Sequence, residues 1–419
     1  MIPRRVLRAV VFLSLGLAPP VSAQWAADID FLRAELPRVH ANLFHSSSPE
    51  SWVMALNDLK ARTAELSDLE IILSLQRIVA SLHDAHTLVD TSAVLQNVFP
   101  VRLKVFSDGI FVVRTNATSR VACGAQLIAI NGIPAEQVFT RVAEFVSAEN
   151  DAWLLAQTPE LMMRPEVLFV AGIIPSKDSA LFTFAIGQRL LDLQLDATTA
   201  LLPPQPDVAG LPLYRRNASL NYWYEWQRAT GLLYLKYNVC ANDPARPFAN
   251  ATNELLTILD TEPVHHFVID LRDNTGGNTE IARALINGIR ARPHLRGRVY
   301  AIIGPKTFSS AMLNAFDLES GGAILAGDST GGKPNSYGEV RSFLLPNSRV
   351  RIFHSTRLFS IVQGDPASLE PSLRIPISSF HYRFLQDPVL SAIAPTARIA
   401  STATDGRRRA VAKSLTCDY

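Results

Sequence analysis

The chemistry-bearing residues of this chain gather around one serine. Ser309 follows the apolar run "VYAIIGPKTF" and precedes "AMLNAFDL", the pattern of a strand ending where a helix begins. A hydroxyl at such a corner stands beside the unpaired N–H groups of the first helical turn and the positive end of the helix. Acyl transfer needs this arrangement: a nucleophile, with donors aimed at the oxyanion that develops beside it. Serine is also a favoured helix N-cap, so the corner alone admits either role. A second corner lies upstream. In "FVIDLRDNTGGNTEIARALI" a buried strand runs into charged residues, then Gly276-Gly277, then a helix. Adjacent glycines let the backbone approach a ligand closely and leave N–H groups free. A third stretch, "AGDSTGGKP", carries Lys333 in a glycine-rich turn 24 residues after Ser309.

Such corners need a scaffold of alternating strands and helices, and the chain supplies one from about residue 230. The order "GLLYLKYNVC", "ATNELLTILDT", "HHFVIDLRDN", "TEIARALINGIRA", "RVYAIIGPK", "SSAMLNAFDLES", "AILAGDST" reads β-α-β-α-β-α-β. Its strands are apolar throughout, which predicts an α/β layered core with the sheet buried on both faces. Upstream, residues 25–90 read as helices. One is opened by Ser48 with Glu50, and another by Ser67 with Glu70 three residues on, a capping box. Between 98 and 145 the pattern predicts a β-rich module. Its hairpin turns at Asp108-Gly109, and a turn at Asn131-Gly132 precedes a helix opened by Pro134. The stretch 146–225 is mixed, with a helix near 149–163, alternating strands near 180–196 and a proline-rich loop at 201–212.

The chain therefore divides into 1–23, 24–95, 98–145, 146–225, a core over 226–395, and a C-terminal tail over 396–419. Residues 1–23 carry Arg4, Arg5 and Arg8, an apolar run and Val21-Ser22-Ala23, the pattern of a cleavable export signal. Cleavage near Ala23 predicts a mature chain that starts at Gln24 and is periplasmic or secreted. A composition of 48% hydrophobic and 19% charged residues belongs to a folded protein with ample core. The formal charge of +2 gives no reason to expect nucleic acid or an anionic surface as partner. Cys123, Cys240 and Cys417 lack metal-ligand spacing, and one disulfide can form among them.

Taken together, "VIDLRDNTGG", "TFSSA" and "AGDSTGGKP" resemble, in order and spacing, the tail-specific or C-terminal processing serine peptidases. The resemblance covers 230 to about 390. It extends more loosely to "GAQLIAINGIPAEQV", which is similar to the PDZ-like domain of such peptidases, and to "LHDAHT", which matches their Asp-x-His-Thr stretch. It implies a ClpP/crotonase-like α/β sandwich core with a PDZ-like β-module and an N-terminal helical segment. It also implies a polypeptide substrate and no metal or organic cofactor. Carried over residue by residue, Ser309 falls on the nucleophile and Lys333 on the general base. Gly276 or Gly277, with the N–H of Ser310, falls on the oxyanion hole. Two positions depart from the pattern: Met312 stands where a glutamate is frequent, and Asp328-Ser329 where the turn has Glu-Pro.

A second branch of the same fold resembles the tricorn-type core and uses Ser-His-Glu. Here it would take His86, and Glu370 in "SLEPS", with Ser372 in place of that branch's aspartate. A lysine base requires burial to lower its pKa by several units from about 10.4, whereas a histidine near 6.5 already suits neutral pH. Both bases stay open. The competing class is a non-catalytic apolar-ligand or peptide-binding protein, since the same core occurs in the interphotoreceptor retinoid-binding protein; a small-molecule esterase is a third reading. Among the remaining candidates, His83, His265 and His266 are expected to be structural or on the surface, and His40 and His45 have no assigned place. Arg272 is expected to pair with a buried carboxylate under the glycine turn, and Tyr337-Gly338-Glu339 to start a strand.

Overall fold

A computed structural model describes residues 21–203 and 210–395. The expected export signal up to residue 20, part of the proline-rich loop, and the tail with Cys417 lie outside the described residues. The chain is α/β. Its core is a six-stranded sheet ordered Leu373–Arg374, Ile324–Gly327, Val299–Ile303, His266–Asp270, Leu232–Tyr237, Tyr222–Gln227. All neighbours are parallel except the last pair, Tyr222–Gln227 with Leu232–Tyr237. Alternation along the strands sends Leu233, Leu235, Phe267 and Ile269 to one face, against the helices Phe248–Thr261, Arg283–Arg290 and Ser310–Ser320. Leu232, Tyr234, Val268 and Ile302 go to the other face, under the helix Pro388–Ile393. Cover on both faces explains why these strands read as continuous apolar runs.

Of the three N-terminal helices, Val21–Val39, Pro49–Ala61 and Asp68–Ala80, the last two form where the caps predict. Ser48 accepts from Ser51 N–H, and Ser67 and Glu70 close a reciprocal capping box. Their apolar faces meet Val89 and Ile352 of a three-stranded sheet ordered Leu88–Val89, Arg351–Phe359, Ser336–Leu344, and Leu345 just past its last strand. This sheet brings the end of the helical segment against a strand from far downstream, and so carries residues 84–87 to the core.

The β-module is an antiparallel sheet ordered Val101–Phe106, Gly109–Thr115, Gln126–Ile130, Ser179–Ile186, Arg189–Asp196, with Ile133–Pro134 paired to Gln126–Ile130. Its hairpin turns at Ser107-Asp108, one residue before the expected Asp108-Gly109, because Gly109 already pairs with Phe106. The sheet continues past residue 145, because Ile130 pairs with Phe182, whose ring is buried with that of Phe184 in the module's core. That pairing joins segments about fifty residues apart, which a change of sequence texture at 145 does not reveal. The buried Gln76 side chain links the parts, donating to Phe145 O (2.9 Å) and accepting from Val89 N–H (2.8 Å). Among the described residues no helix is long and apolar enough to cross a membrane.

Candidate active site

Ser309 occupies the corner between Val299–Ile303 and the helix Ser310–Ser320, with φ 51° and ψ −127°. A positive φ in a non-glycine residue is strained and persists only where the surroundings impose it. Here they do. Phe308 N–H donates to Asn274 O (3.1 Å), the Thr307 hydroxyl to Leu271 O (2.9 Å), and Gly332 N–H to Thr307 O (2.9 Å). The Ser309 side chain makes no cap bond to the helix, so its hydroxyl is left for other work.

That hydroxyl lies 3.1 Å from His86 Nε2, across 223 positions of sequence. The imidazole stacks on Phe308 (centroids 4.5 Å apart), which stacks in turn on Trp153 (4.1 Å). The loop behind it is tied by Asp84, a fully buried carboxylate that accepts from His86 N–H (2.9 Å), the Thr87 hydroxyl (2.6 Å) and His40 Nε2 (2.7 Å). His40 Nδ1 accepts from Asn42 N–H (3.0 Å), so the ring donates to Asp84 through Nε2. Burial alone would raise the Asp84 carboxyl; the bonds from His40, Thr87, Ser355 and His86 outweigh it and hold the carboxyl below its usual range. His45 packs on Tyr337 (4.6 Å) beside His40. His40 thus braces the loop that carries His86, with His45 stacked beside it. Burial lowers the pKa of His86 itself, with the Asp84 charge and the Tyr337 backbone opposing. An imidazole kept neutral can accept the Ser309 proton.

The glycine turn meets the serine from the other side. Asn274 shapes it, donating to Tyr237 O (2.9 Å) and accepting Gly276 N–H (2.9 Å). With the Gly276 N–H so engaged, Gly277 is the glycine whose amide can serve an oxyanion. The Ser310 hydroxyl donates to Gly277 O (2.7 Å), clasping the turn to the helix whose first N–H is that of Ser310. Gly276 has φ 107°, and a Cβ there would stand 2.8 Å from Ser309 Cβ and 3.1 Å from Ser310 N. Gly276→Ala is therefore expected to displace Ser309. Activity should fall by roughly 10²-fold, the scale of a 1 Å misplacement of a reacting group. Paired kinetics and thermal melts check this; an alanine variant with wild-type kcat would contradict the close approach.

Lys333 and Glu370 are not brought to the serine. Lys333 Nζ pairs with Asp365 (2.8 Å), and its turn serves as packing. A Cβ on Gly332 would lie 2.9 Å from Met312 Cβ and 3.1 Å from Ser309 N. Met312 is buried in the core beneath the turn. The Glu370 side chain is 58% exposed, accepts from Ser329 Oγ (2.7 Å) and faces Arg374 (3.8 Å). Cys240 is a free thiol beneath the glycine turn, and burial pushes its pKa up to about 11. Such a thiol is inert as a nucleophile.

One acidic residue that sequence reasoning passed over belongs to this neighbourhood. Glu149 lies beside the Tyr337 backbone. Burial first, and then the Asp84 charge, hold its carboxyl well above the carboxylate range, against the pull of Lys333. Its sequence signal is slight: an acid one position before the N-cap of a helix, Asn150, in the least readable part of the chain.

No family model and no curated protein matches the chain. Solved structures do. Mature CPAF complexed with lactacystin superposes at a TM-score of 0.61 and 12% identity, covering 91% of this chain and 98% of that one. Mature CPAF gives 0.58 and 11%, over 92% and 99%. A photosystem II D1 C-terminal processing protease matches at 0.39 and 11%, over 85% and 94%. Fold and site thus define an α/β protein with a serine–histidine pair at a strand–helix corner. The particular fold is that of CPAF, shared over nearly the whole length of both chains.

Proposed function

We propose that the chain is an exported serine peptidase that cleaves polypeptides through an acyl-enzyme on Ser309, with His86 as general base and acid. The 3.1 Å approach of Ser309 Oγ to His86 Nε2 carries this reading. His86 takes the hydroxyl proton as Oγ attacks the peptide carbonyl. The amides of Gly277 and Ser310 receive the oxyanion, and the imidazolium returns the proton to the leaving amine. Water then repeats the cycle on the ester. The motif resemblance supports a polypeptide substrate and the shared fold supports the scaffold.

A fluorophosphonate probe on the purified chain tests the proposal. Labelling at Ser309 is expected, and a wild-type protein that stays unlabelled and leaves casein intact would overturn it in favour of a binding protein. Export rests on the N-terminal pattern. The mature protein recovered from its cells should begin at Gln24 by N-terminal sequencing, and an intact Met1 in the exported fraction would contradict it.

A further inference from the structure

The serine–histidine pair lacks one component that acyl transfer by a histidine base requires: a carboxylate that sets the imidazole's orientation and offsets the charge it acquires. Glu370, the residue that the tricorn-type resemblance supplies, is engaged at the surface with Ser329 and Arg374. His86 Nδ1 is nonetheless buried, faces the Tyr337 backbone, and among the described residues no side chain closes a hydrogen bond to it. Glu149 Oε2 is in the same position. Two buried polar atoms without side-chain partners, in one neighbourhood, call for a common explanation.

The packing brings them to that neighbourhood. Ala85, Val146, Ala148, Trp153 and Phe308 form a single buried cluster. The residues that follow three of its members in the chain are His86, Glu149 and Ser309. The cluster thus gathers, by their apolar residues, the three segments that carry these side chains. Asn150 fixes the middle segment. Its Oδ1 accepts Trp153 N–H (2.9 Å), and its Nδ2 donates to Ala367 O (2.7 Å), Thr330 O (3.2 Å) and Ser368 Oγ (3.1 Å). The Tyr337 backbone lies against both the His86 ring and the Glu149 carboxyl.

We propose that Glu149 is the carboxylate that positions His86, acting on its Nδ1 side while Nε2 serves Ser309. The proposal rests on the reading of Ser309 and His86 as a catalytic pair and adds the group that completes it. During acylation the Ser309 proton passes to Nε2, and the imidazolium so formed faces a negative carboxylate. The charges facing Glu149 are Asp84 on the histidine loop, Lys333 after Gly331-Gly332 and its partner Asp365; Asp84 also faces His86. A carboxylate beside an imidazole raises the pH at which the pair releases its last proton, however that proton is shared between them. Activity needs the pair in its deprotonated form, so the acid limb of kcat should sit higher in the wild type than in a protein without the carboxylate.

The test compares Glu149→Gln with Glu370→Gln in the full mature chain. Glu149→Gln should lower kcat by roughly 10⁴-fold at near-constant KM, the scale on which loss of the carboxylate of such a triad acts. It should also shift the acid limb to lower pH. Glu370→Gln should stay within about threefold of wild type, with an unmoved limb, as expected of an exposed polar residue. The second readout needs no turnover: an NMR titration of the His86 ring should show a lower midpoint in Glu149→Gln than in wild type. A merely structural Glu149 would reduce melting temperature and yield but leave both limb and midpoint in place, and that result overturns the proposal. So does a limb that moves only in Glu370→Gln. A wild type that fails to react with fluorophosphonate yet shows the midpoint shift would instead sink the peptidase reading and keep the pair.

Discussion

Ser309→Ala is expected to leave the chain unlabelled by a fluorophosphonate and to lower kcat/KM on an unfolded polypeptide by about 10⁴-fold or more, the scale on which serine nucleophiles act. His86→Gln should fall into the same range, and the double variant should be no worse than either single one, because a nucleophile and its base act as a unit. Lys333→Ala is the discriminating control. Its ammonium is held by Asp365 at the edge of the turn, 2.8 Å away. Loss of such a partly exposed pair changes rates by roughly threefold at most. A Lys333 variant as dead as Ser309→Ala, with His86→Gln still active, would assign the base to lysine despite the geometry.

Arg272→Met should produce the largest loss of stability. Arg272 is buried, with its guanidinium on Asp387 (2.9 Å) and Asp270 (2.9 Å) and over the Tyr214 ring (4.5 Å). Asp270 is fully buried and also receives Tyr234 Oη (2.6 Å) and Lys236 Nζ (3.2 Å). Removing the guanidinium leaves buried carboxylate charge without its main partner, at a cost of about 3–5 kcal/mol. The cost should depend on pH in a definite direction. Burial by itself would raise the Asp270 carboxyl, but Arg272 and Lys236 overcome it and hold its pKa below the usual value. Such a carboxylate stabilises the fold above its unfolded pKa, and that contribution is lost as pH falls through the folded value. In the variant the folded pKa rises, so the difference from wild type should be full at neutral pH and shrink as the solution is acidified. Urea midpoints at several pH values check this; a difference that stayed constant with pH would mean that Arg272 stabilises through packing instead. Because Arg272 opens the turn that ends in Gly276-Gly277, kcat should fall along with stability.

The expectation that Arg272 pairs under the glycine turn holds in the structure, with two carboxylates where one was foreseen. The core was legible for a related reason. Continuous apolar strands, Ser67 with Glu70, and a serine between a strand and a helix are local patterns, and each corresponds to the element it predicts. Two features were less visible. The β-module's sheet is completed by Ser179–Ile186 and Arg189–Asp196, whose alternation shows strands but not their partner. His40, His45 and Glu149 carry no motif, and their places follow from Tyr337 and the Phe308 cluster.

Capping, turn chemistry and strand–helix alternation act over a few residues, so the sequence by itself determined that Ser309 stands on a strand–helix corner and that a glycine turn follows an earlier strand. It offered two bases for that serine without ranking them by position. Only the tertiary structure set their places, His86 at 3.1 Å from Ser309 and Lys333 turned towards Asp365. The physical reason is that the choice depends on which side chains the apolar clusters bury together. Pairing a strand at residue 88 with one at 353 brings a loop across the molecule, an outcome that no local preference encodes.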